Sequence, residues 1–205
     1  LATGIRRFEL PDEFNFVLLF QQIVEDDKTG MGPQAADRLA QIFENRRQYP
    51  KSADAWRNAI KKYGANHRTQ RLAQIVDNWG RFEQVSTQPA GQGATVEFRF
   101  RNGDFVALEA HEIKVPQVLA DLKKYLKSNP AKLDWQQVNI GNIGYRLVHQ
   151  NQKQYVGERV AQWDLKLEPA KDHFDRRITI NTPLQKAGAY LVTAKMRDGN
   201  VSKIV

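Results

Sequence analysis

The sequence predicts a multidomain α+β chain. An all-α helical domain spans 1–85, a linker follows at 86–93, and an antiparallel β-sandwich with one inserted helix fills 94–205. Three observations carry this reading. Up to about residue 83 apolar residues recur at three- and four-residue spacing, the period of an amphipathic helix. From residue 94 the period drops to two, as in strands with one buried face. Between them Ser86-Thr87-Gln88-Pro89-Ala90-Gly91-Gln92-Gly93 holds turn formers and no apolar run.

The helices follow in order. Pro11, with Asp12 and Glu13 behind it, suits a helix start, and Phe16, Leu19, Phe20 and Ile23 share one face. Thr29-Gly30-Met31-Gly32-Pro33 breaks that pattern. A second helix is expected from Pro33 to about Gln48, with Ala36, Leu39, Ala40 and Phe43 inward. Tyr49-Pro50-Lys51-Ser52 reads as a turn, with Ser52 the N-cap of a third helix through Trp56, Ile60 and Tyr63. Gly64 can stop it, and Asn66 can cap a fourth helix carrying Leu72, Ile75, Val76 and Trp79. Short turns between four helices imply antiparallel packing.

In the second part, Val96, Phe98 and Phe100 alternate with Glu97, Arg99 and Arg101. Asn102-Gly103 then signals a two-residue hairpin with a return strand from Phe105 to Ile113. Val115-Pro116 opens a helix with Val118, Leu119, Leu122 and Leu126 on one side, and Asn129-Pro130 ends it. Strands are expected in part of 138–148, then over 155–167, 177–180 and 190–196 and from 201 onward, with Asp198-Gly199 as another hairpin turn.

Composition excludes several classes. The chain carries 31 basic and 23 acidic residues, a formal charge of +8, and no cysteine. Disulfides, thiolate zinc sites and cysteine nucleophiles are therefore absent. The longest apolar run, Phe16 to Phe20, is far below the ~20 residues of a membrane span, so no transmembrane segment is expected here. Residues 1–88 hold 13 basic against 11 acidic side chains and residues 89–205 hold 18 against 12. The excess is spread over short pairs such as Arg46-Arg47, Lys61-Lys62, Lys123-Lys124 and Arg176-Arg177. Nucleic-acid binders gather it into one groove or helix, so no nucleic-acid partner is expected. Lys123, Lys124 and Lys127 read as a solvated helix face. The chain begins at Leu1, not Met, and runs into Val205 in mid-strand, so it is read as a piece of something longer.

Candidate chemistry is sparse. His111-Glu112 starts like a zinc-binding helix motif, but Val115 stands where the second His would be. His173 and Asp175 could form an acid–base pair, given a third group and a pocket; otherwise they tie down a strand entry beside Arg176 and Arg177. Gly141-Asn142-Ile143-Gly144, and Gly30 with Gly32, lack the spacing and neighbours of phosphate loops. Ser52 and Ser86 show no nucleophile pattern. His67 and His149 carry no motif. Trp56, Trp79, Trp135, Trp163 and Tyr155 read as packing residues. No catalytic, cofactor-binding or metal-binding residue is assigned, and no cofactor is expected.

Lys186-Ala187-Gly188-Ala189-Tyr190-Leu191-Val192-Thr193-Ala194, ahead of Asp198-Gly199, resembles the late strands of a macroglobulin domain. Phe98-Arg99-Phe100-Arg101-Asn102-Gly103 and the strand ending at His111-Glu112-Ile113 resemble an early hairpin of that domain. His173 to Arg177 and Pro183 to Lys186 look like the version found in bacterial alpha-2-macroglobulin family proteins. The resemblance implies a macroglobulin/Ig-like sandwich with Tyr190, Val192 and Ala194 in its interior. It also implies a non-enzymatic scaffold in an extracytoplasmic protease inhibitor. Its partners would be neighbouring domains of the parent chain and, through the full-length protein, proteases. Without cysteine the family's thioester is absent from this piece. Residues 33–80 are similar to tetratricopeptide-type helix pairs, the other reading being a non-repeat helical cap. Two further functions stay open: a helical adaptor with an Ig-like binding module for peptide, glycan or cell-envelope partners, and a hydrolase built on His173 and Asp175.

Overall fold

The computed structural model describes residues 11–84, 87–139, 141, 143–148, 150 and 152–205. Ser86, Asn142 and His149, singled out above, lie outside them. The chain divides into two compact units, one of residues 1–77 with 171–174 and one of residues 78–170 with 175–205.

The first unit holds α1 (Phe16–Glu25), α2 (Gly32–Asn45), α3 (Tyr49–Tyr63) and α4 (Asn66–Val76), each packed on the next. Ala40, Ala53, Trp56 and Ile75 form its core, the alanines giving α2 and α3 room to approach around the Trp56 ring. Ser52 does not cap α3. With Pro50 in the first turn, where a missing N–H costs nothing, α3 begins at Tyr49. Ser52 then turns inward, fully buried, and its hydroxyl donates to the Ala40 carbonyl at 2.9 Å. Asn66 likewise makes no side-chain cap and is itself the first residue of α4.

The second unit holds β1 (Trp79–Phe82), β2 (Thr95–Arg101), β3 (Phe105–Ile113), α5 (Val115–Lys127), α6 (Trp135–Val138), α7 (Ile143–Val148), β4 (Val156–Lys166), β5 (Arg176–Asn181), β6 (Tyr190–Met196) and β7 (Val201–Ile204). These strands make two antiparallel sheets, β1-β2-β5 and β4-β3-β6-β7. Their inner faces meet in one core, where Phe82, Val96, Phe98, Phe100 and Ile180 oppose Val106, Leu108, Val192, Ala194 and Met196. The chain is thus an α+β protein, a helical unit followed by an antiparallel β-sandwich.

Several details depart from the sequence reading. Trp79 is not on the fourth helix: α4 stops at Val76, Asp77 is extended, and Trp79 pairs with Arg101 as the start of β1. Residues 87–93 therefore join two strands of one sandwich. They are pinned there, because the Gln88 amide exchanges hydrogen bonds with the Thr95 backbone at 2.6 and 2.7 Å. Asn102-Gly103 does not close a hairpin, since β2 and β3 lie in different sheets. A two-residue hairpin would put Val106 and Leu108 on the face opposite Phe98 and Phe100. Switching sheets lets both sets share the interior, and Gly103 lies where a Cβ would strike the Met196 methyl. The insertion after β3 contains α6 and α7 behind α5, and helix occupies part of the segment 138–148 expected as strand.

Side-chain bonds and bulges manage the sheet edges. Asn200 accepts from the Gly80 N–H and donates to the Gly80 carbonyl, both at 2.7 Å, and the Ser202 hydroxyl accepts from Phe82 N–H at 3.1 Å. These bonds stitch β1 to the β7 end across the sandwich. At the opposite edge, Ala110 faces Ala161 while His111 faces Arg159, so Val160 is an extra residue in a β-bulge of β4.

Candidate functional site

The segment Lys186–Tyr190 builds the wall of a cleft at one end of the sandwich, about 320 Å³ in volume. Ala94 and Val96 of the β2 side, Thr182 and Leu184 beyond β5, and Val192 and Ile204 of the other sheet complete it. The segment is held by its own tyrosine. Tyr190 Oη donates to the Lys186 carbonyl at 2.9 Å, and a Cβ on Gly188 would press the ring at 3.2–3.3 Å. Tyr190 is therefore half-buried over its own entry loop, and is not part of the interior core that Val192 and Ala194 join. Across the cleft the Thr182 hydroxyl donates to the Ala94 carbonyl at 2.7 Å. Lys186 and Tyr190 are the ionisable side chains lining it, and no acid–base pair converges there. The cleft offers shape and backbone groups to an occupant, not proton transfer.

The sequence candidates are placed as follows. Asp175 is taken by arginines: Arg101 Nε donates to it at 2.7 Å and Arg99 Nη1 lies 3.9 Å away. Asp172 and His173 both adopt left-handed backbone, at φ of 58° and 60°. His111 sits in β3, its Nδ1 3.4 Å from the Gly157 carbonyl and its Nε2 3.8 Å from Glu109. Among the described residues no group of three metal-ligating side chains assembles. His67 lies 3.2 Å from Asp37. At the start of α2, Asp27 accepts the Gly32 N–H at 2.9 Å, so this chain's own carboxylate fills the position a phosphate would need. Lys123, Lys124 and Lys127 are exposed on α5. Trp56 is buried, Trp79 lies beneath the Arg99 and Arg101 guanidiniums, and Trp163 packs against the sandwich core. Trp135 is exposed, against the packing role expected of it.

Sequence reasoning missed an arginine row on the outer face of β1-β2-β5. Arg81 pairs across to Arg99, and Arg99 to Arg177, placing three cations side by side. Like charges directly opposite are unfavourable, and carboxylates relieve them: Glu83 lies 3.1 Å from Arg99 and 3.6 Å from Arg177. The alternation Glu97, Arg99, Arg101 is legible in the sequence. The row itself depends on register between strands nearly eighty residues apart, which local pattern does not encode.

Fold and site together define a two-unit protein, a stack of helices and an antiparallel sandwich with a helical insertion and an end cleft in which no acid–base pair converges. No protein-family model and no curated protein matches the chain. Among solved structures, it is similar to native alpha-2-macroglobulin from Escherichia coli. Against the crystal structure spanning domains MG0-NIE-MG1 the identity is 14% and the TM-score 0.36, over 63% of this chain and 39% of that one. Against the crystal structure spanning NIE-MG1 the identity is 17% and the TM-score 0.35, over 63% and 60%. A cryo-EM reconstruction of the native conformation of that protein matches at 14% identity and TM-score 0.34, over 63% of this chain and 8% of that one. The chain thus spans less than two thirds of each of these structures.

Proposed function

We propose that this chain is a non-enzymatic structural segment of a large alpha-2-macroglobulin-like protein that inhibits endopeptidases by trapping them outside the cytoplasm. The observation that carries this reading is the course of Lys186 to Ala194. The Ala-Gly-Ala entry closes under Tyr190 and leads β6 through the middle of the four-stranded sheet, with Val192 and Ala194 in the core. The sequence resemblance implies a strand with Tyr190, Val192 and Ala194 inward; Val192 and Ala194 support it, whereas Tyr190 folds back over its entry loop. The role of such a sandwich is mechanical. Its interdigitated phenylalanines and its stitched edge make it a rigid body, so a trap built from it changes shape at the joints between domains. Neighbouring domains of the parent chain are then its direct partners, and proteases are met by the assembled protein.

The reading frame beyond Val205 in the parent gene tests this. Further antiparallel sandwich domains of about 100 residues each support the scaffold. A stop codon within a few dozen residues overturns it and leaves the binding module for peptide, glycan or cell-envelope partners.

A further inference from the structure

Helix α5 is amphipathic, yet only part of its apolar arc is covered. Val118 is buried with Ile113, Leu147, Tyr155 and Leu191, and on the same side the Tyr155 hydroxyl donates to Asp121 at 3.1 Å. At about 100° per residue, Val115, Leu119 and Leu126 fall within roughly 40° of arc beside that covered side. They stand open, as does Leu133 beyond the helix, all between 38% and 47% exposed. The Tyr125 hydroxyl accepts the Asp134 N–H at 2.7 Å, which holds Leu133 and the 71%-exposed Trp135 at the same end of the helix. The charge around this stripe is one-sided: residues 114–135 contain five lysines and two aspartates. Lys123 and Lys127, both exposed, border the stripe on the side away from the sandwich core.

An aliphatic stripe ending in a tryptophan and edged by lysines is the composition of helices that lie in the plane of a bilayer surface. We propose that α5 and the Leu133–Trp135 segment form a peripheral docking surface for an anionic lipid bilayer. The leucines and Trp135 enter the headgroup boundary while the lysine stems lie along it and their ammonium groups reach the phosphates. No helix among the described residues is long and apolar enough to cross a membrane, so this contact is superficial. The lysines select negatively charged headgroups over zwitterionic ones. This inference stands whether or not the parent protein is a protease trap.

The test is co-sedimentation of the 205-residue chain with vesicles of phosphatidylcholine alone and of phosphatidylcholine mixed with phosphatidylglycerol. The chain is expected to bind the mixed vesicles far better, with a blue shift in tryptophan emission that disappears in Trp135→Phe. Replacing Leu119 and Leu126 together by Ser should lower partitioning about tenfold or more. Lys123→Gln and Lys127→Gln should each lower it about fivefold. All these side chains are exposed, and an unchanged thermal unfolding curve establishes that the variants fold. Absence of binding to mixed vesicles at low salt overturns the proposal. So does binding that the lysine variants weaken and the leucine pair does not, which is plain attraction of a basic protein. Retention on an immobilised acidic amphipathic peptide without vesicle binding also overturns it, and gives the stripe to a protein partner.

Discussion

Arg68 meets Asp37 with two hydrogen bonds from one guanidinium, Nε to Oδ1 at 2.5 Å and Nη2 to Oδ2 at 3.1 Å. The same side chain donates to the carbonyls of Tyr63 and Gly64 at 3.3 and 3.2 Å, so it ties α2 to the end of α3 from its place on α4. It is 5% exposed. Removing it leaves the half-buried Asp37 carboxylate with only His67 beside it, and two helix-end carbonyls without the Arg68 donor. Arg68→Ala should therefore cost about 3–5 kcal/mol, read as an earlier loss of helical circular dichroism on thermal unfolding. Asp37→Leu added to Arg68→Met should recover only part of that loss, because the carbonyls stay unpaired.

Gly80 tolerates no side chain. A Cβ there would run into the Phe98 ring rim and come within 2.9 Å of Met196 Sδ, both packed in the sandwich core. Gly80→Ala should destabilise the sandwich by about 1–3 kcal/mol through overpacking, as measured by denaturant unfolding. A loss no larger than that of an exposed glycine-to-alanine change would contradict the packing.

Asn200 is the stitch between β1 and the β6–β7 turn. Asn200→Ala leaves both Gly80 backbone groups without their partner and should cost about 2 kcal/mol. Asn200→Asp keeps the acceptor and loses the donor, so its cost should be smaller. Amide exchange at Gly80 and Phe82 should rise in the alanine variant before exchange in β3 does.

Val160 is the bulged residue of an edge strand, and a bulge twists an edge away from pairing with another chain. Deleting Val160 should straighten β4, extend its regular pairing edge and raise self-association. Light scattering of the purified chain at increasing concentration checks this, and a variant that associates no more than the unaltered chain would show that the charged residues Glu158, Arg159, Asp164 and Lys166 protect the edge by themselves.

Tyr190 holds the loop that leads into β6. Tyr190→Phe removes the bond to the Lys186 carbonyl and should cost about 1 kcal/mol. The half-buried ring stays over Gly188, so the fold and the rest of β6 should be unchanged by amide exchange.

How much was legible in the sequence follows from the range of each signal. β6 runs from Tyr190 to Met196, as its alternation places it, and β3 runs from Phe105 to Ile113, where the Asn102-Gly103 turn and the alternation together place it. Period two is a local property, and the face it defines is buried whichever strand lies beside it. The pairing of β2 was not legible. Asn102-Gly103 can supply positive φ at both positions of a hairpin turn, but only Asn102 adopts it, at 60°, and the chain crosses between sheets. The four residues of β1 are too few to show a period, and α6 and α7 are too short to show a helical stripe. In the site, the Lys186–Tyr190 segment stood out by its residues. The cleft it lines is assembled from β2, the segment after β5, and β7, whose proximity only the folded chain supplies.

The proposed place of this chain in the frame of a protease trap is tested on the full-length protein. The direct measurement incubates the full-length protein with an active endopeptidase and follows hydrolysis of a large protein substrate and a small peptide substrate in parallel. A trap abolishes cleavage of the large substrate while cleavage of the small one persists, because an enclosed protease stays active but is reached only by small molecules. Equal persistence of both activities would contradict it.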